Sequence, residues 1–161
     1  KITGRIKELL VTAGGENVAP APIEDDLKRR LPGVSTAVVV GDRLKFLSVL
    51  FTLKQRQNEG TFDDVLVGAA AAVNPEVTTA LAAAEDATWK RCLQTAIDDY
   101  NAKATSSAQR VQKFAILPLH FSEANGELTP TLKLKRAAVV EKYAHVLRRL
   151  YGDAQSAVWF P

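Results

Sequence analysis

Leu9-Leu10-Val11-Thr12-Ala13-Gly14-Gly15-Glu16-Asn17-Val18, running into Pro20-Ala21-Pro22-Ile23-Glu24, is the stretch from which the fold is read. Two adjacent glycines followed by Asn mark a chain reversal, because glycine reaches positive φ without steric cost. Apolar residues lie on both sides, so a small β-hairpin with Gly14-Gly15 at its tip is expected. After the prolines, Ile23 to Leu31 reads as a helix. Ile23, Leu27 and Leu31 share one face, the acids Glu24, Asp25 and Asp26 are expected in the first turn, and Lys28, Arg29 and Arg30 fall in the last. That charge order matches the helix dipole, and Pro32-Gly33 stops the run.

Further along, Thr36-Ala37-Val38-Val39-Val40 and Phe46 to Leu53 are apolar runs separated by a short polar turn, which predicts adjacent buried strands. Residues 55–64 read as a flexible loop. Leu66 to Thr105 holds twelve alanines in forty residues, and its second half, Glu76 to Lys103, is expected to form one long helix entered at Asn74-Pro75, with Leu81, Trp89, Leu93, Ile97 and Tyr100 on its buried face. Gln112 to Leu117 is strand-like. Asn125-Gly126 is a turn, Thr129-Pro130 opens an irregular stretch, and a last helix starts at Ala137 with Val140, Tyr143, Leu147, Leu150 and Tyr151 on one face. The order hairpin, helix, strand, strand, helix, strand, helix describes one α+β domain, a small mixed sheet with flanking helices.

Composition narrows the function. With 161 residues, 47% of them hydrophobic, the chain can bury a core without staples. A single cysteine, Cys92, excludes an internal disulfide framework, and two histidines, His120 and His145, argue against a histidine-rich metal site. No methionine occurs, so the chain is expected to be a piece of a longer one. The net charge is +3, but Leu128 to Arg149 carries six bases against Glu141 alone and is therefore +5, leaving −2 elsewhere. Such a field suits an anionic ligand; an ordinary solvated helix face explains it equally well.

Two motifs go further. Ile2-Thr3-Gly4-Arg5-Ile6-Lys7-Glu8-Leu9-Leu10, with the glycine turn and Pro20 to Glu24 after it, resembles the hinge motif of the adenylate-forming superfamily, which includes acyl-CoA synthetases, luciferases and peptide-synthetase adenylation domains. Downstream, Glu127-Leu128-Thr129-Pro130-Thr131-Leu132-Lys133-Leu134-Lys135-Arg136 resembles the lysine motif of long-chain fatty acyl-CoA synthetases, the bubblegum-type branch in particular. The resemblance runs from Lys1 to about Tyr151. It implies the mobile C-terminal lid domain of an ATP-dependent long-chain fatty acid–CoA ligase: hinge and hairpin in residues 1–18, an α+β body in 19–151, a tail in 152–161, and a large N-terminal domain not included. It also implies ATP, Mg2+ and coenzyme A as cofactors of the whole enzyme, with none bound by this domain alone and no activity from it in isolation.

The resemblance assigns roles residue by residue. Lys133 matches the lysine that neutralises the charge between a carboxylate and the α-phosphate of ATP, and an ammonium on a long stem suits reach into another domain's cleft. Without the motif it reads as a surface lysine. Arg5 matches an arginine that approaches the nucleotide, for which a guanidinium offers a planar fork; a hairpin salt bridge with Glu8 is its other reading. Lys7 matches the hinge position, where a few dihedrals absorb a domain rotation. Gly14 and Gly15 match the bare loop that lines the coenzyme A tunnel after rotation. Arg136 matches the motif's terminal base, and a salt bridge to the domain's own helix accounts for it equally well. Most of the superfamily has Gly before the lysine; this chain has Leu132, as the long-chain branch does.

No metal site is expected. His120 and Cys92 read as packed side chains, and the apolar tail Ala157-Val158-Trp159-Phe160-Pro161 as a docking segment. The partners implied are the N-terminal domain, fatty acid and coenzyme A, with peripheral membrane association and no nucleic acid; the cytosol or a membrane's cytosolic face is the expected compartment. A rival reading is a basic module that binds nucleic acid or an anionic membrane surface, although aromatics are not interleaved with its bases as stacking requires.

Overall fold

A computed structural model of the chain describes residues 9–152. The opening stretch forms the expected hairpin: β1 (Leu10–Val11) pairs antiparallel with β2 (Asn17–Val18), and Gly15 takes φ 84 in the turn. Helix α1 (Pro20–Arg30) starts earlier than the charge pattern implies, because proline at the first helical positions loses no hydrogen bond and is already set at helical φ. Glu24 is thereby moved out of the first turn, which contains no acid, so the dipole account of that residue fails. The bases do occupy the last turn.

Strands β3 (Val34–Val40) and β4 (Leu47–Leu53) pair antiparallel, with Ala37 opposite Phe51 and Val39 opposite Val49. The segment expected as a loop is instead a second hairpin, β5 (Gln55–Asn58) and β6 (Thr61–Leu66). Glu59 and Gly60 both have positive φ, 50 and 86, the two-residue turn whose twist suits antiparallel strands. Arg56 and Asp63 join the two strands at 2.8 Å.

The single long helix over 76–103 is also corrected. A short α2 (Ala69–Val73) is followed by α3 (Ala80–Glu85) and α4 (Ala87–Asn101). The break is Asp86, extended at φ −88 and ψ 130, whose carboxylate accepts from Trp89 N at 2.9 Å and from Asn74 Nδ2 at 3.1 Å. A short acid that bonds the backbone of the next turn ends one helix and caps another. Leu81, placed on the buried face by the sequence, is 54% exposed, whereas Trp89, Leu93 and Ile97 are buried as read.

β7 (Val111–Ile116) then lies parallel to β4, giving the three-stranded mixed sheet β3-β4-β7. The final helix is likewise two, α5 (Arg136–Lys142) and α6 (Ala144–Gly152), interrupted at Tyr143. Both faces of the sheet are covered. Val39, Val49, Phe51, Phe114 and Ile116 pack toward α1, α3 and α4. Val38, Val40, Leu50, Ala115 and Leu117 pack toward α5 and α6. A strand buried on two sides reads as a nearly continuous apolar run, here interrupted only by Ser48 and Thr52, which is why β4 is legible.

The first hairpin is seated on the β3–β4 connection. Ala13 N donates to Leu44 O at 3.0 Å, Arg43 N to Val11 O at 2.6 Å and Val11 N to an Asp42 carboxylate oxygen at 2.9 Å. From the other side, Tyr151 stacks on Phe46 with ring centroids 4.5 Å apart and donates its hydroxyl to Phe46 O at 2.5 Å. No helix among the described residues is long and apolar enough to cross a membrane.

Candidate functional site

Lys133 stands on a tight hairpin of its own. Lys135 N donates to Glu127 O at 2.8 Å, Leu128 and Leu134 face each other in an antiparallel bridge, and Thr129 N donates to Lys133 O at 2.8 Å. Leu132 N closes the turn onto Thr129 O at 2.8 Å, with Pro130 at the second position. This is a three-residue loop, a turn followed by one left-handed residue, the place where glycine ordinarily sits. Here that residue is Leu132, at φ 65 and 70% exposed. Glycine adopts this conformation without steric cost; in this chain a leucine adopts it.

The Lys133 side chain is exposed, and among the described residues no hydrogen bond or ion pair engages its ammonium. The base of the hairpin is held firmly. Glu127, 1% exposed, accepts from Ser122 N at 3.0 Å, from Lys142 Nζ at 2.9 Å and from the Tyr143 hydroxyl at 3.2 Å. Burial, with the Glu127 charge and hydrogen bond added, pushes the Tyr143 phenol well above its ordinary range. Glu127 opens the lysine motif, yet its anchoring role was not read from the sequence. A lone acid ahead of a turn signal gives no hint that it is buried.

Arg136 at the end of the same motif turns back onto the first motif. Its guanidinium meets the Glu24 carboxylate through two nitrogens, at 2.6 and 3.2 Å, and donates to Val39 O at 3.1 Å. Glu24 also accepts from Val39 N at 2.7 Å. Of the two readings open for Arg136, the structure realises the salt bridge to the domain's own helix. The +5 segment is correspondingly weaker as a field, since Arg136 and Lys142 are each paired with an acid outside it, Glu24 and Glu127.

No hydrogen bond among the described residues joins the glycine turn to the lysine hairpin. Residues 13–17 are all exposed. A Cβ on Gly14 would meet only Thr12 Oγ1, at 3.9 Å, and one on Gly15 would meet nothing within 4 Å, although φ 84 favours glycine there. Arg5 and Lys7 lie outside the described residues, as does the tail 157–161. His120 is held by Ser35, by Phe121 O at 2.8 Å and by stacking on Phe62 with centroids 3.9 Å apart. Cys92 is half-buried on α4, and burial pushes its thiol up, away from a nucleophile's range. Among the described residues no group of three or more His, Cys, Asp or Glu is placed to hold a metal ion.

Comparison with known proteins places these features. The family described as AMP-binding enzyme C-terminal domain matches residues 7–87. A long-chain-fatty-acid–CoA ligase of Gallus gallus, ACSBG2, is 41% identical over 163 residues, covering 96% of this chain and 21% of that protein. The long-chain-fatty-acid–CoA ligase heimdall of Drosophila melanogaster is 40% identical, covering 93% of this chain and 26% of that protein. The chain thus spans about a fifth to a quarter of the length of these curated relatives. Among solved structures, the adenylation domain of a carboxylate reductase from Mycobacterium chelonae superposes with TM-score 0.68 at 23% identity, over 92% of this chain and 20% of that one. At that identity the likeness speaks for the fold.

Proposed function

The chain belongs to the AMP-binding enzyme C-terminal domain family, and from that premise we propose that it is the lid domain of an ATP-dependent long-chain fatty acid–CoA ligase. The observation that carries the proposal is an exposed Lys133 ammonium on a hairpin fixed at its base by buried Glu127. In the first half-reaction a fatty carboxylate attacks the α-phosphate of ATP and pyrophosphate leaves, giving an acyl-adenylate. Both reactants are anions. A cation brought between them as charge shifts onto the bridging oxygens lowers the barrier, and most of all in a cleft from which water is excluded. In the second half-reaction the thiol of coenzyme A displaces AMP. Gly14 serves here: this domain's packing leaves space for a side chain at that position, so its bareness suits a ligand arriving from outside.

The large domain, which these 161 residues do not include, supplies the fatty acid pocket and most contacts to ATP and Mg2+. Arg5 approaches the nucleotide, and Lys7 is the pivot between the two half-reactions. Each buried methylene of a fatty acid favours the bilayer by about 0.8 kcal/mol, so we place the enzyme at the cytosolic face of a membrane or in the adjacent cytosol; cell fractionation that returns it only from a lumenal compartment would contradict this.

The test separates the half-reactions in the full-length ligase. Lys133→Ala is expected to abolish adenylate formation while sparing attack of coenzyme A on supplied acyl-adenylate. Lys7→Pro, which restricts φ at the pivot, is expected to do the reverse. Equal damage to both steps by both substitutions refutes the assignment.

A further inference from the structure

Lys133 is held in place by a hydroxyl to which the proposed chemistry gives no part. In a three-residue loop closed by Leu132 N on Thr129 O, the Thr129 carbonyl is occupied, and Lys133 N has no carbonyl across the loop to bond. Thr129 Oγ1 fills that place, accepting from Lys133 N at 3.0 Å. Thr129 thus grips the loop three times: its N–H on Lys133 O, its carbonyl on Leu132 N, its hydroxyl on Lys133 N. The Thr131 hydroxyl lies 3.1 Å from the same oxygen and shares a hydrogen bond with it.

The grip matters because of Leu132. At φ 65 glycine meets no steric penalty, whereas a leucine disfavours that region and relaxes out of it when released. We infer that Thr129 is a positioning residue for adenylation: its side-chain oxygen keeps Leu132 left-handed, and so fixes the backbone from which the Lys133 ammonium projects. Thr129 touches no substrate. The inference rests on the reading of Lys133 as the adenylation cation, and adds that in this chain the task glycine performs by conformational freedom is performed by a hydrogen bond.

The experiment uses the full-length ligase, with adenylation followed by pyrophosphate exchange and thioester formation followed from supplied acyl-adenylate. Thr129→Val keeps the shape and removes the acceptor. It is expected to lower adenylation kcat about three- to tenfold, the value of one neutral hydrogen bond, with KM for ATP and the thioester step nearly unchanged. Thr129→Ser, which restores the oxygen, is expected to recover most of the rate. Leu132→Gly in the Thr129→Val background is expected to recover much of it too, because glycine no longer needs the latch. Thr129→Ala repeats the oxygen deletion with a smaller side chain, and a thermal midpoint for each variant shows that it is folded. An adenylation rate unmoved by Thr129→Val, a Thr129→Ser variant as slow as Thr129→Val, or a double variant with no recovery overturns the inference. Lys133→Ala run alongside separates the two claims. If it leaves adenylation intact, the catalytic reading falls; if it abolishes adenylation while Thr129→Val matches the parent, only the latch falls.

Discussion

Arg136 and Glu24, 112 residues apart in sequence, meet at 2.6 Å with their side chains 20% and 11% exposed. They are the closing residues of the two motifs, so the glycine-turn segment and the lysine segment are joined at their ends. The carboxylate also accepts from Val39 N and the guanidinium donates to Val39 O, which fastens both to β3, an edge strand of the three-stranded sheet.

Removing one partner leaves the other partly buried and unmatched. Arg136→Ala is expected to cost about 2–3 kcal/mol, discounted from the figure for a fully buried pair, and Glu24→Gln somewhat less because the amide still accepts from Val39 N. Urea midpoints measure both. Replacing the pair by Glu24→Gln with Arg136→Met, which keeps an acceptor for Val39 N, should cost less than Arg136→Ala alone; a double variant less stable than either single would refute a pairing role.

Leu132 supplies a second measurement. Left-handed φ costs an L residue about 1–2 kcal/mol, and glycine's extra freedom in the unfolded chain costs about 0.5–1 kcal/mol, so Leu132→Gly should be neutral to slightly stabilising. Leu132→Val, branched at Cβ, should lower stability by about 1 kcal/mol. Thermal midpoints that rank valine above glycine would contradict the left-handed geometry.

Gly41 answers to close approach as well as conformation. At φ 146, a Cβ there would stand 2.8 Å from Phe46 O and 2.9 Å from Leu47 Cδ2. Gly41→Ala is expected to cost about 2–3 kcal/mol and to loosen the 41–46 turn on which the first hairpin is seated. Hydrogen exchange should then quicken at Ala13 N and Arg43 N before it does at β4 amides; uniform quickening would mean the turn is no separate unit.

High pH should unfold the chain in a defined window. Burial pushes the Tyr151 phenol up to about 12, and burial with the nearby Asp26 charge does the same for Tyr100. The unfolded value is about 10, so their contribution is complete below pH 10 and is lost as pH rises through 12. Urea midpoints should fall across that interval, and less steeply in Tyr151→Phe; an identical slope in that variant would exclude Tyr151 as a source.

What the sequence disclosed follows burial. β4 was visible because both of its faces are covered, leaving a run from Leu47 to Leu53 that is apolar but for Ser48 and Thr52. The hairpin of β5 and β6 was not, because Gln55-Arg56-Gln57-Asn58 is a mostly exposed ribbon whose turn depends on the φ of Glu59 and Gly60. Asp86 concealed a helix break for a similar reason: an acid within an alanine-rich run looks like a solvated position until its carboxylate is seen bonding Trp89 N. The roles proposed for Lys133, Gly14 and Gly15 come from motif resemblance. Thr129 and Glu127 belong to the lysine motif too, but the hydrogen bonds they make, to Lys133 N and to Ser122, Lys142 and Tyr143, are not revealed by spacing alone.

The hairpin that bears the glycines is fastened to the 41–46 turn through Leu44 and Arg43, and the hairpin that bears Lys133 through Arg136 to Glu24 on α1 and through Glu127 to Lys142 on α5. Each hairpin therefore has its own anchorage, so cutting one tether is local damage: the loop it releases loses its seat while the other keeps its own.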